Sequence, residues 1–152
     1  MNDEALRRAF RDVPTARLAT NGIDGTPHVA PLWLVWTAEA IYLSTAIKSA
    51  TWRNAQRDPR VGLVIDRGRD WAELTGVQVE GSAALLAVEH PDMRSPMSAW
   101  HEKYRSMFTG DAFERFTRQV PELGFLRIEP ERVQTWDHAR PDGTIDGPKA
   151  RA

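Results

Sequence analysis

Along most of the chain apolar and polar residues alternate with a period of two, and helical spacing is confined to short stretches between those runs. Residues 2–12 open with capping residues and set Leu6, Phe10 and Val13 at i, i+4 and i+7, which predicts a short amphipathic helix against a sheet. After Pro14 the period changes. ARLAT and HVAPLWLVWT flank NGIDG, whose Asn21-Gly22 and Asp24-Gly25 pairs tolerate positive φ, so two antiparallel strands joined by a hairpin are expected. In the second strand Val29, Pro31, Trp33 and Val35 point one way, and Ala30, Leu32, Leu34 and Trp36 the other. A strand apolar on both faces must be covered on both.

Residues 40–45 (AIYLST) predict a third strand, residues 49–56 a helix stopped by Asp58-Pro59, and residues 60–66 (RVGLVID) a fourth strand. RGRDWAEL is polar and irregular. Residues 75–87 are long enough for a fifth strand, with Gly81 at a bulge or bend. Two helices are expected beyond Glu89, together forming a lid over one end of the sheet. One carries Met97, Trp100, Tyr104, Met107 and Phe108 near one face; the other has Asp111 and Glu114 as a capping box ahead of Phe113, Phe116 and Val120. Residues 123–129 and 132–137 read as two further strands about a Glu-Pro-Glu turn, and the chain from 139 onward as a flexible, charge-rich tail. Six or seven strands without a βαβ rhythm imply a mainly antiparallel, closed or half-closed sheet in one domain spanning the 152 residues.

Composition narrows the chemistry. A formal charge of −1 lacks the basic field of a protein held to nucleic acid through phosphates, so no nucleic-acid partner is expected. The absence of cysteine removes disulfides, thiolate nucleophiles and cysteine-ligated metals, and fits a reducing compartment. With no apolar signal core and no run of membrane-spanning length, the expected location is the cytoplasm, with no membrane partner. His28, His90, His101 and His138 form no i, i+3 or i, i+4 pair, and His101-Glu102 is not followed by a second histidine. There is no G-x-S-x-G elbow and no Gly-rich phosphate loop. An enzyme so short of catalytic groups would borrow its chemistry from a cofactor.

Residues 43–66 are the most suggestive stretch. A strand ends in Ser44 and Thr45, a loop presents Lys48 and Ser49, and a helix carrying Arg53 begins at once. Hydroxyls, a helix N-terminus and two cations are equipment for holding a phosphate; equally, the cations are solvated surface charges and Ser49 a helix cap. Pro31 leaves a gap in the ladder where another group could lie, whereas Trp33 and Trp36 also suit a core or a dimer interface. Trp71, in a polar loop, must pack on a neighbouring subunit or on a bound ring.

Taken in order, ATNGIDGTPHVAPLWLVW, IYLST, KSATWRNAQRDPRVGLVID, GVQVEGSA and LRIEPERVQTW resemble the pyridoxamine 5′-phosphate oxidase-like flavin-binding split-barrel superfamily, and within it the branch that includes deazaflavin-dependent reductases. The resemblance implies a mainly β, Greek-key split β-barrel of six to seven strands with short helices, forming a homodimer with two cofactor sites at the interface. It places a flavin-type ring, of FMN or the deazaflavin coenzyme F420, near Pro31, Leu32, Trp33 and the loop around Trp71. The phosphate would meet Ser44, Thr45, Lys48, Ser49 and Arg53. Hydride would pass between the ring and a small molecule, with no catalytic side chain supplied by the protein. Family members commonly carry an Arg-Lys pair where this chain has Ala50-Thr51, leaving Lys48 and Arg53 as the cations. The arginine motif that ends the vitamin B6 oxidases is missing from TWDHARPDGTIDG, so pyridoxine phosphate is not an expected substrate. Two other readings stand beside the oxidoreductase: a non-catalytic flavin- or haem-binding or sensing module, and a dimeric interaction protein whose pocket has decayed.

Overall fold

The structure, a computed structural model, describes residues 4–87, 89–119 and 122–140. Six strands, β1 (Thr15–Asn21), β2 (Pro27–Trp36), β3 (Ile41–Ala46), β4 (Arg60–Arg67), β5 (Thr75–Leu86) and β6 (Leu123–Asp137), are all antiparallel to their neighbours. They close a barrel in the order β1-β2-β3-β6-β5-β4. The period-two pattern is the cause. Ala16 and Leu18, Leu32 and Leu34, Ile41 and Leu43, and Leu63 and Ile65 alternate inward and fill the interior with Val77, Val79, Leu126 and Ile128.

A helix stops each end of the barrel. At one, α1 (Glu4–Ala9) and the residues after it insert Leu6 and Phe10, while Arg67 donates to the Ala9 carbonyl at 2.8 Å and lies over the Phe10 ring. At the other, α2 (Ala50–Arg57) inserts Trp52 and Ala55, and the Asn54 amide donates to Thr20 Oγ1 at 3.1 Å. The β1–β2 reversal follows its sequence signal, with Gly25 at φ 82°.

Three expectations change. Residues 123–137 form one strand, not two about a turn. Glu80 pairs with Arg132 and Gly81 with Pro130, so Glu131 is the extra residue of a bulge opposite the predicted bend. Pro130 is tolerated there because β6 has lost its β3 neighbour beyond Ile128. Second, α3 (Arg94–Arg105) and α4 (Ala112–Gln119) do not cap an end of the sheet. They cover the outer face of β2 and β3, where Trp33, Val35, Tyr42 and Phe125 join Met93, Trp100, Tyr104 and Phe116 in a second core. Third, α3 stops at Arg105, and Met107 is exposed rather than part of its apolar stripe. Of the tail from 139, residues 141–152 lie outside the described residues. No helix among the described residues is long and apolar enough to cross a membrane.

Candidate functional site

β3 delivers its last residues to the start of α2, and the chain turns there through Ser49. Its side chain caps the helix by accepting from the Trp52 amide at 3.1 Å, and its hydroxyl lies 3.0 Å from Thr45 Oγ1. Ala50 and Thr51 occupy the first two helical positions, where amides have no intrahelical acceptor. Lys48 stands beside them, its ammonium 3.2 Å from the Glu122 carboxylate and largely exposed. Arg53 folds back to donate to the Lys48 carbonyl at 2.6 Å. Thr51, at the second position of the departed Arg-Lys pair, is buried and lies 3.3 Å from His28 Nε2. The cradle therefore holds two hydroxyls, two open amides and two cations whose present partners are an exposed carboxylate and a main-chain oxygen.

The other predicted residues are dispersed around it. Ser44 faces outward, paired across the strands with Trp33. Trp33 is stacked on Phe116 at 5.4 Å and 10°, with Tyr104 at 4.4 Å, so its ring is committed to the second core. Leu32 points into the barrel. Pro31 is exposed on the outer face. Trp71 lies past the end of β4 remote from α2, with roughly 23 Å of strand between them at 3.3 Å per residue. It is 72% exposed, packs beside His138 at 4.8 Å, and its carbonyl lies 3.0 Å from His138 Nδ1.

Only half of β2 receives the outer cover that its doubly apolar pattern requires. Beyond the helices, Val29 is 62% exposed and shares a depression of about 530 Å³ with Ala19, Gly62 and Val64, rimmed by the Arg17–Asp66 ion pair. The apolar outward positions of β1 and β4 carried the signal for this bare face. Among the described residues no group of three or more histidine, aspartate or glutamate side chains could hold a metal ion.

Sequence reasoning also missed a clamp at the opposite rim. Tyr104 donates to the Leu34 or Pro14 carbonyl, and Lys103 donates to Val13 at 2.6 Å and Leu34 at 2.8 Å, pinning α3 to the start of β1 and the end of β2. Burial pulls the Lys103 ammonium down to about 8, with Asp12 opposing, and pushes the Tyr104 hydroxyl above the ordinary tyrosine range. Below pH 8 Lys103 is charged in both folded and unfolded chains, and the cost of its burial is fully present. Between about 8 and 10.5 the unfolded chain keeps a proton that the folded chain has released, so stability rises with pH across that window. Above the ordinary tyrosine value Tyr104 acts oppositely. Urea midpoints should climb from pH 7 to 9.5, and Lys103→Met should flatten the climb.

The family described as pyridoxamine 5′-phosphate oxidase matches residues 2–137 of this sequence. The chain belongs to that family. Among solved structures, the conserved hypothetical protein Rv2991 of Mycobacterium tuberculosis is 31% identical with a TM-score of 0.72, over 89% of this chain and 84% of that one. HutZ, the heme storage protein of Vibrio cholerae, is 17% identical with a TM-score of 0.68, over 88% and 94%. A protein titled F420 reductase is 18% identical with a TM-score of 0.62, over 84% and 94%. These last two likenesses show the fold alone, the split barrel of the pyridoxamine 5′-phosphate oxidase family. No curated protein matches the chain in sequence.

Proposed function

We propose that this chain is an oxidoreductase of the split-barrel family that binds FMN or the deazaflavin coenzyme F420 as a homodimer and passes hydride between that cofactor and a small molecule. The observation that carries the reading is the Thr45–Ser49 hydroxyl pair at the first turn of α2, beside Lys48 and Arg53. These residues fit a phosphate. The hydroxyl of the pair that keeps its proton free and the amides of Ala50 and Thr51 donate to its oxygens, the helix N-terminus favours its charge, and the two exposed cations can turn to it. When bound, the ring supplies the hydride chemistry. The protein positions it and excludes water along the outer face of β2, where Pro31 has no amide to offer and Val29 is apolar.

The same bare face is the proposed dimer interface. A second copy seated there would bury the apolar residues Ala19, Val29, Gly62 and Val64 and complete the cover that β2 lacks. Trp71, whose own chain leaves most of its ring exposed, is then available to cover the partner's site. Gly62→Arg, on the open face, should yield a monomer by analytical ultracentrifugation while the far-ultraviolet circular dichroism stays unchanged; a persistent dimer would move the interface elsewhere.

The F420 reductase of the same fold supports the deazaflavin form of this reading. HutZ supports a second, non-catalytic one, and Ala50, exposed where a family cation commonly stands, favours loose retention of a ligand. The test is titration of the apoprotein with FMN and separately with coenzyme F420, followed by tryptophan quenching and by turnover with an artificial acceptor. Lys48→Ala combined with Arg53→Ala should weaken binding by about 2 kcal/mol, since charge-assisted hydrogen bonds carry that much. Glu122→Gln, which frees Lys48, should tighten it by up to about fivefold, the scale of an exposed ion pair. Failure of both cofactors to bind at tens of micromolar would end the cofactor reading, and binding without turnover would leave the non-catalytic one.

A further inference from the structure

At the edge of the second core lies a cavity of about 730 Å³, walled by α3, the turn before it, the start of β3 and the middle of β6. It is separate from the α2 cradle and from the bare sheet face. Its existence follows from the two faces of α3. Met97, Trp100 and Tyr104 turn to the second core, while Ser95, Ser98 and Glu102 turn to the cavity; Ala99 touches both, and the small residues at 98 and 99 leave the cavity open.

Its charges are of both signs. Glu39, Asp92 and Glu102 contribute three carboxylates, and Arg94 and Arg127 two guanidinium groups. Arg94 and Glu102 have no ion pair among the described residues. They sit eight residues apart on one helix, about 12 Å at 1.5 Å per residue, too far to neutralise each other. Among the described residues Glu39 accepts a side-chain hydrogen bond from the Ser95 hydroxyl alone, at 3.1 Å. Arg127 is paired at 3.0 Å with Glu129, an exposed partner that a ligand can replace.

The floor is Tyr42, 3% exposed. Burial raises its hydroxyl's pKa, the Arg127 charge and hydrogen bond lower it, and the charges of Glu39 and Asp92 raise it. Arg127, Glu39 and Asp92 line the same cavity as this tyrosine.

The geometry points to this cavity as a binding site for a free basic amino acid, a molecule with one carboxylate and two ammonium or guanidinium groups. Three carboxylates and two guanidinium groups give the walls a net charge of −1, which a ligand of net +1 complements. The α-carboxylate is taken by Arg127 with the Tyr42 hydroxyl, and the cationic ends by Glu39 and Glu102.

Isothermal titration of the purified chain with L-lysine and L-arginine tests the assignment, with 1,5-diaminopentane and L-norleucine as probes lacking the carboxylate or the second cation. Lysine or arginine is expected to bind with a submillimolar Kd, and diaminopentane and norleucine at least tenfold more weakly. Arg127→Gln and Glu102→Gln should each weaken lysine binding at least tenfold while leaving the urea midpoint near that of the parent. No heat from either amino acid at 5 mM, or binding by diaminopentane equal to that by lysine, would overturn the assignment. So would tight binding unaffected by both substitutions. FMN titration of the same variants should be unchanged, since neither residue belongs to the cradle.

Discussion

Trp100→Ala is expected to lower the unfolding free energy by about 3–5 kcal/mol, the range for removing a buried large aromatic, and so to remove much of the stability of a domain of this size. Trp100 is 1% exposed, and its ring lies within 6 Å of those of Trp33, Tyr104, Phe113 and Phe116. Removing it leaves a void between α3, α4 and the outer face of β2. Among the described residues the indole N–H has no hydrogen-bond partner, so Trp100→Phe, which keeps most of the volume and deletes that donor, should cost less than half as much. Urea denaturation of both variants gives the comparison. If alanine and phenylalanine are equally damaging, the loss lies in something other than packing volume.

Gly81→Ala is the second large effect. A Cβ at this position would lie 2.1 Å from the Glu129 carbonyl oxygen and 3.0 Å from its carbon, both main-chain atoms of β6. A flexible side chain could swing away; a paired strand cannot. The bulge must therefore open or shift register, at a cost of about 3 kcal/mol, at the upper end for overpacking. Gly62→Ala provides the control in the same barrel. Nothing in its own chain lies within 4 Å of its would-be Cβ, and a single methyl keeps the proposed interface apolar, so that change should be neutral or slightly stabilising, as alanine replaces the more flexible glycine in a strand. Equal urea midpoints for the two variants would refute this account of the bulge.

Where period and turn chemistry act locally, the sequence was readable. The NGIDG reversal, the alternation in β1 to β5 and the Ser49 cap each depend on residues within a few positions of one another, and each forms as expected. Glu-Pro-Glu misled because its turn propensity is local, whereas the continuity of β6 is decided by β5, a long partner distant in sequence. For the same reason one strand's pattern could not distinguish a packed Trp33 from one that meets a ligand. The deciding rings, Tyr104 and Phe116, arrive from helices more than 70 residues later. Trp71 is a similar case, since its neighbour His138 is 67 residues away. Lys48 and Arg53 were legible as cations beside a helix start, but not their present attachments to Glu122 and the Lys48 carbonyl.

β6 comes last of the six strands and is the one that joins β3 to β5. During synthesis the other five can pair into an open sheet while both of its flanks stay bare. The outer hydrogen-bonding groups of β3 and β5 then wait for residues 123–137 to leave the ribosome. With synthesis at about 5–20 residues per second, the helices of residues 94–119 alone prolong that exposure by a second or more. The vulnerable species for aggregation is thus a nascent chain stalled before β6, and a chaperone holding the edges of β3 and β5 would protect it.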